Sequence, residues 1–163
     1  MKNILLITKK KFMKKLLLGL SFLLAIAIFA VSCSKEDNGN DVVLPSKAKS
    51  FLSTSFKFKG AKIVKLSKVT DNLTKKEFEV ILDNGIKIEF NKDGNWVEIE
   101  AVKDDGTIPS ELVPKDILDY VSEHYPGPGI NSIEIEDDGY EIELTDGTDL
   151  DFDLEGVFIK VDK

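Results

Sequence analysis

Apolar and polar residues alternate with a period of two along eight short segments. These are about 62–69, 77–83, 86–91 and 95–101, then 131–137, 139–145, 148–153 and 157–162. Alternation of this kind predicts half-buried β-strands. Two other segments carry a helical period. Ala48, Phe51, Leu52 and Ser55 recur at i, i+3, i+4 and i+7 after Pro45, and Ile117, Tyr120, Val121 and Tyr125 form a similar stripe after Pro114. A proline is tolerated in a first helical turn, Asp116 suits the first turn of the second helix, and Pro126 stops that helix. His124, at its end, is expected to be half-buried and structural. Asp83-Asn84-Gly85 and Thr145-Asp146-Gly147 predict tight type I′ hairpins, because Asn-Gly and Asp-Gly supply the positive φ such turns need.

The pattern occurs twice. With Leu44–Ile99 set against Val113–Val161, an offset of 69 aligns Pro45 with Pro114, Phe51 with Tyr120, Phe56 with Tyr125 and Gly60 with Gly129. The first copy then carries seven extra residues around Thr70–Lys76, after which the offset is 62. Phe78, Val80 and Leu82 now match Tyr140, Ile142 and Leu144, while Gly94 matches Gly156 and Trp96 matches Phe158. The fold class is therefore α+β: two tandem repeats, each one helix packed on a four-stranded antiparallel meander, with the outer sheet face open. Repeat one spans 44–101, a connector 102–112, and repeat two 113–163. A unit of about 50 residues is marginal alone, so the two sheets are expected to join or abut.

Strand phase assigns the faces. Val64, Leu66, Phe78, Val80, Leu82, Ile88, Phe90, Val97 and Ile99 should meet helix one. Ile133, Ile135, Tyr140, Ile142, Leu144, Leu150, Phe152, Ile159 and Val161 should meet helix two. The open face should carry Ile63, Glu79, Ile81, Glu89 and Trp96 in repeat one, and Glu141, Glu143, Asp149, Asp151, Asp153 and Phe158 in repeat two.

The first 32 residues read as an export signal. A lysine cluster precedes Leu16–Val31, an uncharged apolar run of 16 residues, shorter than the ~20 needed to span a bilayer. Met13-Lys14-Lys15 would itself make a suitable signal start. Ala30-Val31-Ser32-Cys33 resembles the lipobox of bacterial lipoproteins, which implies lipidation of Cys33 and a membrane anchor. Residues 33–43 form the lipidated cysteine and a polar tether. Ser34-Lys35-Glu36-Asp37 resembles the acidic signal that sends such lipoproteins to the cell surface. The expected location is the outer membrane, at the cell surface or the periplasmic face.

Removing the signal takes away six of the 22 lysines and leaves 29 acidic residues against 16 basic ones. That balance argues against a nucleic-acid partner. It is also uneven: residues 44–99 carry 11 Lys against 7 acids, and residues 113–163 carry 3 Lys against 15. One Cys and one His in the chain exclude a disulfide scaffold and a Cys- or His-rich metal centre.

Leu/Val-Pro at each helix start, the aromatic-Pro/Gly break, Tyr/Phe-Glu-Val-x-Leu-x-x-Gly and Phe-x-x-x-Gly-x-Trp together resemble the PepSY-like, β-lactamase-inhibitor-like family of Bacteroidetes-type lipoproteins. The resemblance covers nearly all of residues 44–161. It implies two helix-plus-sheet units side by side with one sheet face left open, the surface by which the namesake inhibitor grips an enzyme. Repeat two departs from the pattern at Phe158 and in its Gly127-Pro128-Gly129 loop.

No nucleophile motif or phosphate loop is present, and a flat sheet offers no cleft to desolvate a carboxylate pair. The chain is expected not to be an enzyme and to need no cofactor. Three readings of the open face compete. It is a solubilising surface; or it binds a protein or peptide, basic where it meets repeat two, with Trp96, Ile81 and Phe158 as anchors; or it associates with divalent cations in a structural role. Against the last, alternate strand residues such as Asp149, Asp151 and Asp153 stand ~6.5–7 Å apart and cannot easily share one ion. No metal site is assigned. The favoured expectation is non-catalytic binding of a protein or peptide, with inhibition of a secreted or envelope enzyme as its specific form.

Overall fold

The structure, a computed structural model, describes residues 42–55, 60–69 and 75–162. The signal segment 1–32, Cys33 and the tether up to residue 41 lie outside these residues, as do Phe56 and residues 70–74 of the longer loop. Helix α1 (Ser46–Thr54) precedes strands β1 (Ile63–Lys68), β2 (Phe78–Leu82), β3 (Ile86–Phe90) and β4 (Trp96–Ala101). A 3-10 turn at Ser110–Leu112 leads into α2 (Lys115–His124), then β5 (Ile130–Ile135), β6 (Gly139–Leu144), β7 (Asp149–Asp153) and β8 (Phe158–Asp162). All eight strands form one antiparallel sheet in sequence order. The two expected meanders join through β4 and β5, where Glu98 pairs with Glu134, Ile99 with Ile133 and Glu100 with Ser132. Joining removes two exposed sheet edges. The remaining edge strands each carry a bulge and a lysine, Lys65 in β1 and Lys160 in β8, both devices that resist further strand pairing.

Both helices pack on one face of the sheet. Ala48 from α1 and Ile117 from α2 are fully buried with Val80, Ile88, Phe90, Ile99, Ile133, Ile142 and Leu150, and Phe152 is 1% exposed. Each large apolar side chain so buried contributes about 1.5–3 kcal/mol. Aromatic contacts seat the helices: Phe51 meets Phe90 edge-on at 6.0 Å, and Tyr120 meets Phe152 edge-on at 5.5 Å. The connector is tied down from β5. The Asn131 side-chain amide donates to the carbonyls of Lys103 at 2.8 Å and Gly106 at 3.0 Å.

Four hairpin turns share one construction. The N–H of Gly85, Gly94, Gly147 and Gly156 donates to the carbonyl three residues earlier, on Leu82, Asn91, Leu144 and Asp153, at 2.9–3.1 Å. Each glycine has φ between 79° and 83°. These are three-residue loops with a left-handed glycine closing the turn, not the two-residue type I′ turns that Asn-Gly and Asp-Gly suggested. Gly94 and Gly156 have a second reason to lack a side chain, because each turn lies against the first turn of a helix. A Cβ on Gly94 would stand 2.8 Å from Pro45 Cβ and 2.9 Å from the Ala48 nitrogen, and one on Gly156 would stand 3.2 Å from Asp116 Cβ.

Bulges correct the predicted faces at three strand ends. In β4 the register slips between Glu89 and Phe90, so that Phe90 faces Trp96. Trp96 therefore packs against the core, and Val97 is the extra residue. In β8 the same slip sets Phe152 opposite Phe158. Phe158 stacks on Tyr120 at 4.6 Å, and Ile159, expected inside, is 55% exposed. In β1 a slip between Ile63 and Lys65 pairs Ile63 with Leu82, while Val64, expected inside, is 62% exposed. One inserted residue reverses the alternation beyond it, and in β4 and β8 it brings the aromatic inward.

Candidate functional site

The sheet face away from the helices carries two rows of side chains running across the strands. The first is Ser67, Glu79, Glu89, Glu98, Glu134, Glu141, Asp151 and Lys160, each directly paired with the next from β1 to β8. Six consecutive members are carboxylates. The second row is Lys65, Ile81, Lys87, Glu100, Ser132, Glu143, Asp149 and Asp162. Neighbouring strands stand ~4.8 Å apart, and like charges directly opposite one another destabilise a sheet. Unshielded, a carboxylate row of this length would oppose folding.

Lysines offset the repulsion on the β2–β5 side. Lys76, which enters β2 from the longer loop, pairs with Glu89 at 2.8 Å, with Glu134 at 3.7 Å and with Glu98. Lys87 of β3 lies 3.6 Å from Glu89 and 3.8 Å from Glu98 and pairs with Glu100. Glu89 and Glu98 are 7% and 6% exposed, so this part of the face is closed. Towards the edges, Lys65 meets Glu79 at 2.8 Å and Lys160 meets Asp151 at 3.2 Å. Lys75 also pairs with Asp137 in the β5–β6 hairpin, so the end of the longer loop is tied to both halves of the sheet.

The protonation equilibria follow from this packing. Burial disfavours the charged forms of Lys76 and Lys87, but the carboxylates around each outweigh it and raise both. Burial would likewise raise Glu98, but Lys87 and Lys76 hold its carboxyl down at about 2. Glu100 is raised to about 7, by burial against the pull of Lys87 and with repulsion from Glu98 added. Glu89 is raised by burial and by Glu98. Glu143 is raised by burial, then by Asp149, Asp104 and Glu141.

Of the eleven residues expected on the open face, eight lie there by register: Glu79, Ile81, Glu89, Glu141, Glu143, Asp149, Asp151 and Asp153. Ile63 is turned to the helix side opposite Leu82. Glu89 is buried against Lys76 and Lys87. Trp96 and Phe158 are turned to the helix side and are not surface anchors. Asp153 is engaged in its turn, accepting from the N–H of Glu155 at 3.0 Å and of Val157 at 2.8 Å. Asn91 does the same for Asp93 and Asn95. His124 is exposed at the end of α2, stacked on Tyr120 at 4.1 Å. Cys33 lies outside the described residues. Among the described residues no three His, Cys, Asp or Glu side chains gather as metal ligands.

Sequence reasoning missed Lys76 and Glu100 as members of this face. The Lys75-Lys76 pair at the end of the extra loop was the available signal, but only the cross-strand register shows what it meets.

The model of the family described as "Putative beta-lactamase-inhibitor-like, PepSY-like" matches residues 76–160. A Bacteroides vulgatus structure, described as "a putative periplasmic protein of unknown function", is 33% identical with a TM-score of 0.62, covering 74% of this chain and 92% of that one. A Bacteroides thetaiotaomicron structure, described as "a putative calcium-regulated periplasmic protein", is 33% identical with a TM-score of 0.63, covering 74% and 91%. A second Bacteroides vulgatus structure, "a putative periplasmic protein", is 32% identical with a TM-score of 0.60, covering 74% and 91%. No curated protein sequence matches the chain.

Proposed function

Because this chain belongs to the PepSY-like, β-lactamase-inhibitor-like family, we propose that it is an exported, non-catalytic envelope protein that binds a basic protein or peptide across its polar sheet face. The observation that carries the reading is the row of six facing carboxylates from β2 to β7. A sheet that keeps like charges in direct register gives up stability. A cationic partner offsets that cost when bound and is steered toward the field beforehand. The footprint falls on β6–β7, at Glu141, Glu143, Asp149 and Asp151, because Lys76 and Lys87 already occupy the β3–β5 stretch. An envelope enzyme presenting a basic loop is the partner class that the family description suggests, and inhibition is the form such binding takes.

Three further elements belong to the proposal. The matching hairpin turns against each helix start, at Gly94 and Gly156, and the matching Asn91 and Asp153 turn caps, support reading the sheet as two tandem halves. Lipidation at Cys33 anchors the chain, as the Ala-Val-Ser-Cys sequence suggests. The periplasmic descriptions of the relatives support an envelope location.

The test is fluorescence anisotropy with labelled oligolysine and the full chain in mild detergent. Two double variants of equal net charge are compared: Glu141→Lys with Asp149→Lys on the face, and Asp116→Lys with Asp119→Lys on α2. The face variant should weaken binding at least ~10-fold more than the helix variant, and wild-type binding should fall steeply with salt. Equal loss in the two variants, or no wild-type binding at low salt, would sink the reading. Replacing Cys33 with Ser should move the protein from the membrane to the soluble fraction. The calcium description of one relative keeps a second reading in view. Saturable calcium binding lost in the face variant would favour a cation-associated structural role instead.

A further inference from the structure

On the polar face, two lysines serve four carboxylates. Lys76 and Lys87 between them contact Glu89 of β3, Glu98 and Glu100 of β4, and Glu134 of β5. With every group ionised the cluster would hold two negative charges more than positive. The side chains of Glu89 and Glu98 are 9% and 8% exposed, those of Lys76 and Lys87 10% and 16%, and those of Glu134 and Glu100 15% and 24%. Water therefore screens little of that excess, and a buried surplus charge is relieved most directly by binding a proton.

The geometry selects the acceptor. Glu89 and Glu98 each receive both lysines, and Glu98 stays ionised. Glu134 receives Lys76. Glu100 has one ammonium, Lys87, on its β3 side, and opposite it on β5 stands Ser132, which carries no charge. Its own strand places Glu98 two residues away on the same face. Beyond Ser132 the next residue in the row is Glu143 of β6, another carboxylate. Of these neighbours among the described residues, only Lys87 is positive; Glu98 and Glu143 are carboxylates.

We propose that Glu100 holds a proton at neutral pH, shared with Glu98 within this cluster, and releases it as the medium turns mildly alkaline, so that the polar face gains a negative charge beside its acidic half. No bond other than the O–H bond of the carboxyl breaks, and the proton goes to water. The device makes the pull of the face on cations grow with pH.

Carboxyl-carbon NMR of the full chain in mild detergent, titrated from pH 4 to pH 9, tests the assignment directly. One glutamate carboxyl should titrate between about pH 6 and 8 and disappear from the spectrum of Glu100→Gln, which keeps the shape and the neutral state. If all glutamate carboxyls titrate below about pH 5.5, or the high-pH titration persists in Glu100→Gln, the inference is overturned. A second arm rests on the proposed partner-binding reading. Oligolysine should bind wild type about 2–3-fold more tightly at pH 8 than at pH 6, with no such change in Glu100→Gln. A clean carboxyl titration without oligolysine binding would count against that reading alone and leave the proton assignment standing.

Discussion

Four glycines at the same turn position provide an internal calibration of how the helices are seated. Gly85, Gly94, Gly147 and Gly156 have nearly identical φ, 79–83°, so alanine at any of them incurs the same backbone cost, about 1–2 kcal/mol for a left-handed non-glycine residue. What differs is the space. At Gly85 and Gly147 nothing lies within 4 Å of the added carbon, and the backbone cost is the whole effect. At Gly156 the carbon stands 3.2 Å from Asp116 Cβ and 3.5 Å from Ile117 Cγ1, a crowding that side chains relieve by shifting a few tenths of an ångström. At Gly94 it stands 2.8 Å from Pro45 Cβ and 2.9 Å from the Ala48 backbone nitrogen. Ala48 is fully buried and its nitrogen belongs to the first turn of α1, so relief requires moving the helix. Overpacking of that kind adds about 1–3 kcal/mol, giving ~2–5 kcal/mol in all for Gly94→Ala. Urea denaturation followed by circular dichroism measures each value from the midpoint at constant slope. The expected order of loss is Gly94 > Gly156 ≥ Gly147 ≈ Gly85. A Gly94→Ala loss within ~0.5 kcal/mol of the Gly85→Ala loss would refute the close seating of α1 on the β3–β4 turn.

Trp96→Ala and Phe158→Ala should each lower stability by ~2–4 kcal/mol and leave oligolysine affinity unchanged once folded protein is matched. Altered affinity at full folding would return these aromatics to the binding face. Asn131→Ala should cost about 1–3 kcal/mol, because it removes the side-chain donor to the Gly106 and Lys103 carbonyls, of which that of Lys103 keeps only the Gly106 N–H. Asn131→Asp should cost more, since a carboxylate would face carbonyl oxygens, and chemical denaturation ranks the two. Glu98, held at about 2, contributes stability that is present above the ordinary carboxylate range and is lost as pH falls toward 2. Glu100, raised from 4.5 to about 7, contributes stability that is full below 4.5 and lost as pH rises through 7, at most ~3 kcal/mol at 1.36 kcal/mol per unit. Thermal melts should therefore peak near pH 4.5–5 and decline to pH 8, and a flat Tm over that range in wild type would contradict the burial of Glu100.

Most of the fold was legible because period-two alternation and a repeated helix stripe are local signals. All eight strands appear within a residue or two of where Val80, Ile88, Ile142 and Leu150 placed them. What the alternation could not show is a one-residue insertion. Phase read outward from the middle of β4 sends Ile99 inward and Glu98 outward correctly, then carries the error past the bulge to Trp96. The same happens at Phe158 in β8 and at Val64 in β1. Each misplaced residue sits beside a turn or at a strand end, where bulges concentrate. The turn type failed for a related reason. Asn84-Gly85 has the residues of a type I′ turn, but the hydrogen bond closes on the glycine itself, and composition alone does not distinguish these two uses of a left-handed glycine.

The candidate face was half legible, and the missing half changes its meaning. Alternation identifies which carboxylates share a face, but only pairing shows that six of them stand in one line. Their distribution against the lysines then separates two regions. From β2 to β5 the row is met by Lys65, Lys76 and Lys87, and burial of Glu89 and Glu98 makes that stretch part of the protein's own framework. On β6 and β7, Glu141, Glu143, Asp149 and Asp151 are bordered, among the described residues, by Lys160 at the edge, which pairs with Asp151. The excess of lysine in residues 44–99 and of acid in residues 113–163 is thus expressed on one continuous surface, its carboxylates partly offset by lysines at one side and more strongly anionic at the other. A merely solubilising face would need no such division, since scattered charges of both signs serve solubility with less repulsion between strands.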